Sequence, residues 1–113
     1  EKINHIAQKI GIDDFGTKFT NGFLTKIQDG NSQLSYSNKK KILLLRALAT
    51  DNKIIILEDP YDGLSKEIKE KMIAFLQELA KEKTIIVVTQ DDDFIQKAHQ
   101  HFHMINGLLE TKK

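Results

Sequence analysis

Apolar residues in the first ten positions fall at Ile3, Ile6, Ala7 and Ile10, a spacing that lays one stripe along a helix. Residues 11–33 are punctuated by Gly11, Gly16, Gly22 and Gly30, with Asn and Asp nearby, and read mostly as loop. A second helix is expected from Ser35 or Ser37 to Ala49, since serine accepts from the free amides of a first turn. Lys53 to Leu57 (KIIIL) has the continuous β-branched character of a strand buried on both faces. Pro60 and Gly63 break it. Ser65 then caps a helix whose Ile68, Met72, Phe75, Leu76 and Leu79 share one face. Thr84 to Thr89 (TIIVVT) reads as a second buried strand, and the acidic run Asp91, Asp92, Asp93 suits the positive end of a following helix. Residues 101–105 and 108–111 flank Asn106-Gly107, a strong hairpin signal.

Strand, helix, strand in this order describes a βαβ unit with a right-handed crossover, hence an α/β fold with a parallel sheet. Ligands of such sheets sit beyond the carboxyl ends of the strands. The first strand brings Glu58 and Asp59 to that edge, and the second brings Gln90 and Asp91. Two carboxylates there can hold Mg2+ through water and polarise an attacking water. A capped, solvated loop accounts for the same acids, and the pattern alone leaves both readings open.

Composition narrows the class. At 113 residues, 40% hydrophobic and 29% charged, the chain is one domain's worth of globular protein. A net charge of +1 gives no overall footprint for nucleic acid or an anionic membrane, and Lys39, Lys40 and Lys41 read as a solvated helix face. The absence of cysteine excludes disulfides and thiolate metal sites and fits a reducing compartment. No apolar run approaches the roughly 20 residues that span a bilayer, and the opening EKINHIAQKI lacks the apolar core of a signal peptide. His99, His101 and His103 read as surface or edge-strand residues, because a metal site would need a further partner and supporting hydrogen bonds.

The stretch TKIQDGNSQLSYSNKKKILLLRALATDNKIIILEDPYDGLS, residues 25–65, resembles the ATP-binding cassette (ABC) ATPases, particularly the nucleotide-binding domains of exporter-type transporters. That family shows T-x-V-G-E-x-G-x-x-LSGGQ-x-QR-h-x-h-ARAL, then hhhhDEP, then a TSALD-like D-loop. Thr25, Ile27, Asp29, Gln33, Leu34 and Ser35 align without a gap. Arg46, Ala47 and Leu48 match the ARAL element, and Pro60 and Leu64 match the later anchors. GIDDFGTKFTNGFLTKI resembles a segment of the helical subdomain, TIIVVTQ the strand leading to the H-loop, and FHMINGLLE the hairpin after it. The resemblance implies the C-terminal part of a P-loop NTPase domain. Residues 1–50 would belong to the helical subdomain and signature helix, and residues 51–113 to the RecA-like core.

The departures bear on chemistry. The resemblance makes Ser35, Tyr36, Ser37 and Asn38 the signature positions facing a partner subunit's ATP, but Tyr36 and Ser37 replace glycines whose bare backbone approaches phosphate closely. The Walker B pair is inverted to Glu58-Asp59: Glu58 is the expected Mg2+ position, through water, and Asp59 the catalytic carboxylate, one methylene short. Ser65 stands for the D-loop aspartate and Gln90 for the H-loop histidine. The implied function is a degenerate ATP half-site within a transporter dimer, using ATP and Mg2+. A transmembrane domain and a second nucleotide-binding domain are its implied partners, with no nucleic acid, and the cytoplasmic face of the membrane its location. Gly11 to Lys18 has P-loop glycine spacing but follows a helical stripe rather than a strand, so it is rejected as a P-loop. The chain is therefore expected to be inactive alone. Two alternatives compete: a Toprim-like Mg2+-dependent nuclease or phosphotransferase using Glu58, Asp59, Asp91 and Asp93, and a non-catalytic module docking through residues 1–24.

Overall fold

A computed structural model describes residues 2–12, 24 and 35–112. The loop glycines Gly16, Gly22 and Gly30, the rejected P-loop's Thr17 and Lys18, and the family-matching Thr25, Ile27, Asp29, Gln33 and Leu34 lie outside the described residues. In chain order the elements are α1 (Lys2–Lys9), α2 (Tyr36–Leu48), β1 (Ile54–Glu58), α3 (Lys66–Leu79), β2 (Thr84–Val88), α4 (Asp92–Lys97), β3 (His101–Ile105) and β4 (Leu108–Lys112).

Local chemistry sets the element ends. Gly11 turns left-handed (φ +82°) after α1, letting the Ile12 amide reach back to the Ala7 carbonyl at 2.8 Å, a helix stop that glycine permits most cheaply. Ser35 and Ser65 cap α2 and α3, their hydroxyl oxygens accepting from the Asn38 and Ile68 amides at 3.1 and 3.2 Å. Asn106 (φ +50°) and Gly107 (φ +80°) form the two-residue turn between β3 and β4, both left-handed as a type I′ hairpin requires.

β1 and β2 pair in parallel, Ile54 opposite Thr84 through Glu58 opposite Val88, and α3 connects them. Ile55 and Leu57 turn inward to meet Leu44, Leu45 and Leu48 of α2, Met72, Ile73 and Leu76 of α3, and Ile6, Ala7 and Ile10 of α1. Phe94 of α4 joins the same buried cluster. Of the α1 stripe, Ile3 stays outside it at 41% exposure.

The expectation that both strands are buried on both faces is wrong. Burial alternates along β1, and Ile54, Ile56, Ile86 and Val88 are exposed. Successive strand side chains point to opposite faces, and the helices among the described residues bury only the face carrying Ile55 and Leu57. The sequence carries apolar residues on both faces, yet these elements cover one. The hairpin of β3 and β4 is a separate antiparallel sheet, not an extension of the parallel pair, and it too exposes Phe102, Met104, Leu108 and Leu109.

A one-sided sheet predicts unequal consequences for neighbouring residues. Leu57→Ala is expected to lower unfolding free energy by about 2–5 kcal/mol, as for buried leucines generally. Ile56→Ala, on the open face, should change it by less than about 1 kcal/mol. Urea denaturation of both variants checks this, and equal losses would contradict the one-sided core.

Candidate functional site

The parallel register brings the two strand ends to one edge. Glu58 lies opposite Val88, and the Asp59 amide extends the ladder by donating to the Val88 carbonyl at 3.0 Å. Asp59 then turns left-handed (φ +42°), a conformation that Asp tolerates better than most residues but that still stores about 1–3 kcal/mol of strain. The strain falls where the chain leaves the strand, immediately before Pro60, which is buried. The following turn is closed by the Asp62 amide on the Asp59 carbonyl at 3.1 Å and the Leu64 amide on the Tyr61 carbonyl at 2.9 Å. Gln90 lies exposed two residues past the end of β2.

Glu58 is exposed on the same uncovered face as Ile54 and Ile56, and among the described residues it forms no ion pair. A solvated carboxylate at a strand end, with Asp59 beside it, is a donor set that suits an oxygen-loving cation such as Mg2+. Asp91 is different. Its side chain caps α4, accepting from the Asp93 and Phe94 amides at 2.9 and 3.4 Å, and its other oxygen pairs with the Lys69 ammonium at 2.9 Å. Lys69 also reaches Asp93 at 2.8 Å and lies 5.7 Å from the centre of the Tyr61 ring. Tyr61 in turn packs on Phe94, with ring centres 5.5 Å apart. Lys69 therefore ties the loop after β1 to the start of α4, beside Gln90.

This corrects the four-acid metal cluster. Asp91 and Asp93 are both paired with the single Lys69 ammonium, and the described residues hold no group of three or more candidate ligands placed around one ion. Of residues 1–24, the proposed docking segment, Ile6, Ala7 and Ile10 of α1 pack into the chain's own core, while residues 13–23 lie outside the described residues. His101 and His103 do share a face, with ring centres 6.4 Å apart.

Of the signature positions, Ser35 is exposed at the N-terminus of α2. Its oxygen accepts from the Asn38 amide, which leaves the hydroxyl hydrogen available for donation. Tyr36 leaves α2 toward the loop after β1: its hydroxyl donates to Asp62 Oδ2 at 2.6 Å, and its ring lies against Gly63. Ser65 lies exposed at the start of α3, its oxygen taken by the cap. Thus Ser35 to Asn38, Glu58, Asp59, Ser65 and Gln90 all sit at element ends, with α2 joined to the loop at residues 62–63. Sequence reasoning missed Lys69, Tyr61 and Asp62 and read Gly63 only as a breaker; the Lys69–Asp91 and Tyr36–Asp62 bonds span 22 and 26 residues, and no local spacing announces them.

No family model matches the chain. Individual relatives do. It is 30% identical over 99% of its length to ATP-binding cassette sub-family B member 5 of Homo sapiens. It is 31% identical over 95% to the ATP-dependent lipid A-core flippase of Vibrio parahaemolyticus. It is 29% identical over 79% to the lipoprotein-releasing system ATP-binding protein LolD 2 of Rhodopirellula baltica. The chain spans only 9%, 18% and 36% of those relatives. In fold it superposes over 94% of its length, with a TM-score of 0.78 and 17% identity, on 18% of a bacterial Atm1-family ABC exporter solved with ATP bound.

The Lys69 pairing sets a pH dependence. The Lys69 ammonium above all, with the Phe94 and Asp93 amides, holds the Asp91 carboxyl below its ordinary value of 3.8 against the opposing effect of burial. A depressed carboxyl stabilises the fold fully above its unfolded-state pKa and loses that contribution as pH falls below it. Lys69, raised by Asp93 and Asp91, contributes fully below its ordinary value and loses the contribution only in strong base. Asp91→Asn should therefore flatten the fall in thermal stability below pH 3.8. An unchanged acid slope would contradict the pairing.

Proposed function

We propose that this chain, whose homologues are ABC transporter ATP-binding and permease proteins, forms the C-terminal part of an ABC nucleotide-binding domain and contributes a degenerate ATP half-site to a dimer that powers transport. In this reading residues 1–50 belong to the helical subdomain and signature helix, and residues 51–113 to the RecA-like core of a P-loop NTPase. The observation that carries it is the shared edge: Glu58, Asp59 and Gln90 stand together at the carboxyl ends of parallel strands, while Ser35 heads the helix joined to the loop between them. The uncovered face of β1 and β2, on which Glu58 also lies, is where the rest of the domain and its triphosphate-binding segment would pack.

Each residue then has a part set by its chemistry. Glu58, its open carboxylate one methylene longer than the family's aspartate, would hold Mg2+. Bound Mg2+ would neutralise charge on the phosphate oxygens of ATP. Asp59 is placed to orient a water but is one methylene short of the family's glutamate, and such misplacement lowers rate steeply. Gln90 donates an amide hydrogen to a phosphate oxygen but carries no titratable proton. Ser35 donates its hydroxyl toward the ATP of a second nucleotide-binding domain, while Tyr36, Ser37 and Asn38 line the same approach with side chains instead of bare backbone. Ser65 serves the D-loop position as a helix cap without its charge. The partners are that second domain and a transmembrane domain, which would hold the unit at the cytoplasmic membrane face. No described helix is long and apolar enough to cross a membrane.

Alone, the 113 residues are expected to hydrolyse no radiolabelled ATP above background, and ordinary enzymatic turnover would overturn the inactive-alone reading. Once assembled with a P-loop-bearing N-terminal half from a relative, Asp59→Glu is expected to raise turnover by up to about a hundredfold. Unchanged turnover would remove Asp59 from the catalytic position.

A further inference from the structure

A helix N-terminus attracts anions through its free amides and its dipole. At α2 the loop after β1 packs against the helix start. Tyr36, the first helical residue, reaches over the loop after β1 and donates its hydroxyl to Asp62 Oδ2 at 2.6 Å. Its ring covers Gly63 so closely that a Cβ there would lie 3.1 and 3.2 Å from ring carbons. The same hypothetical atom would lie 3.8 Å from the Ser37 Cα, so the loop backbone abuts the helix start itself. Gly63 is also left-handed (φ +78°), which gives glycine two separate reasons to stand here. Lys40 lies over the ring at 5.9 Å, near enough for a weak cation–π contact.

We propose that Tyr36 and Asp62 form an intramolecular latch that closes the start of α2 onto the loop after β1 and excludes an incoming phosphate. An anion approaching these amides meets a phenol ring where the family pattern has glycine, and the Asp62 carboxylate behind it. Asp59 adds like charge; the Asp62 hydrogen bond above all, with burial and the charges of Asp62 and Asp59, raises the Tyr36 phenol above its ordinary pKa, so the donating proton is kept. The latch joins two exposed side chains, and such pairs are held only modestly. It is therefore an openable contact: a partner that displaces the phenol would uncover the helix end. The role as a phosphate gate rests on reading residues 34–38 as a signature segment, whereas the latch itself does not.

Two measurements on the 113-residue chain test it. In amide hydrogen exchange, Tyr36→Phe and Asp62→Asn should each speed exchange at Ser37, Asn38 and Leu64 by about threefold to tenfold, the range for an exposed hydrogen bond to a charged group. The double variant should be no faster than either single one. Unchanged rates in Tyr36→Phe, or effects that simply multiply, would overturn the latch. In NMR titration with inorganic phosphate, Asp62→Asn should shift the 36–38 amides at concentrations that leave the unaltered chain unmoved. Equal shifts in both would overturn the exclusion. The exchange result judges the latch without any nucleotide, while turnover of the assembled domain judges the ABC reading separately.

Discussion

Parallel pairing of β1 and β2 is the constraint from which the rest of the molecule follows. Parallel strands cannot be joined by a tight turn, so the chain must leave the sheet and return along a crossover. Here α3 is that crossover, and its Met72, Ile73 and Leu76 bury against Ile55 and Leu57. Because both strands run the same way, both end at the same edge. Glu58, Asp59 and Gln90 are neighbours for that reason, although Gln90 follows them by some thirty residues. α1 and α2 then close the same side of the sheet, and the second side, with Ile54, Ile56, Ile86 and Val88, stays open.

The loop between β1 and α3 is where the two halves of the described chain are tied together. It is strained at Asp59 and left-handed again at Gly63. Three contacts hold it: the Val88 carbonyl from the sheet, Tyr36 from α2, and the Lys69–Tyr61–Phe94 stack leading to α4. Such over-determination allows the strained conformation at Asp59 to persist. Moving Tyr36 would break the side-chain hydrogen bond that joins α2 to this loop.

Local elements were legible in the sequence because local rules decide them. The serine caps at Ser35 and Ser65, the acidic start of α4 and the Asn106-Gly107 turn each depend on residues within a few positions, and each lies where its pattern indicates. Burial of the strands was misread because a run such as KIIIL reports what a strand could bury, not which elements arrive to cover it. The candidate site was half legible. Glu58, Asp59 and Gln90 followed from strand polarity. The Tyr36–Asp62 bond and the commitment of Asp91 and Asp93 to Lys69 did not, because they join segments far apart in the chain whose meeting depends on tertiary packing.

The most direct test of the central claim places the metal and nucleotide on the strand edge. With the chain assembled beside a P-loop-bearing half from a relative, Mn2+ with ATP would be added and NMR line broadening followed residue by residue. The expected result is early broadening at Glu58, Asp59 and Gln90, with the β3–β4 hairpin little affected. Nucleotide that binds the assembly yet leaves those three residues sharp would contradict a phosphate and metal site at the ends of β1 and β2.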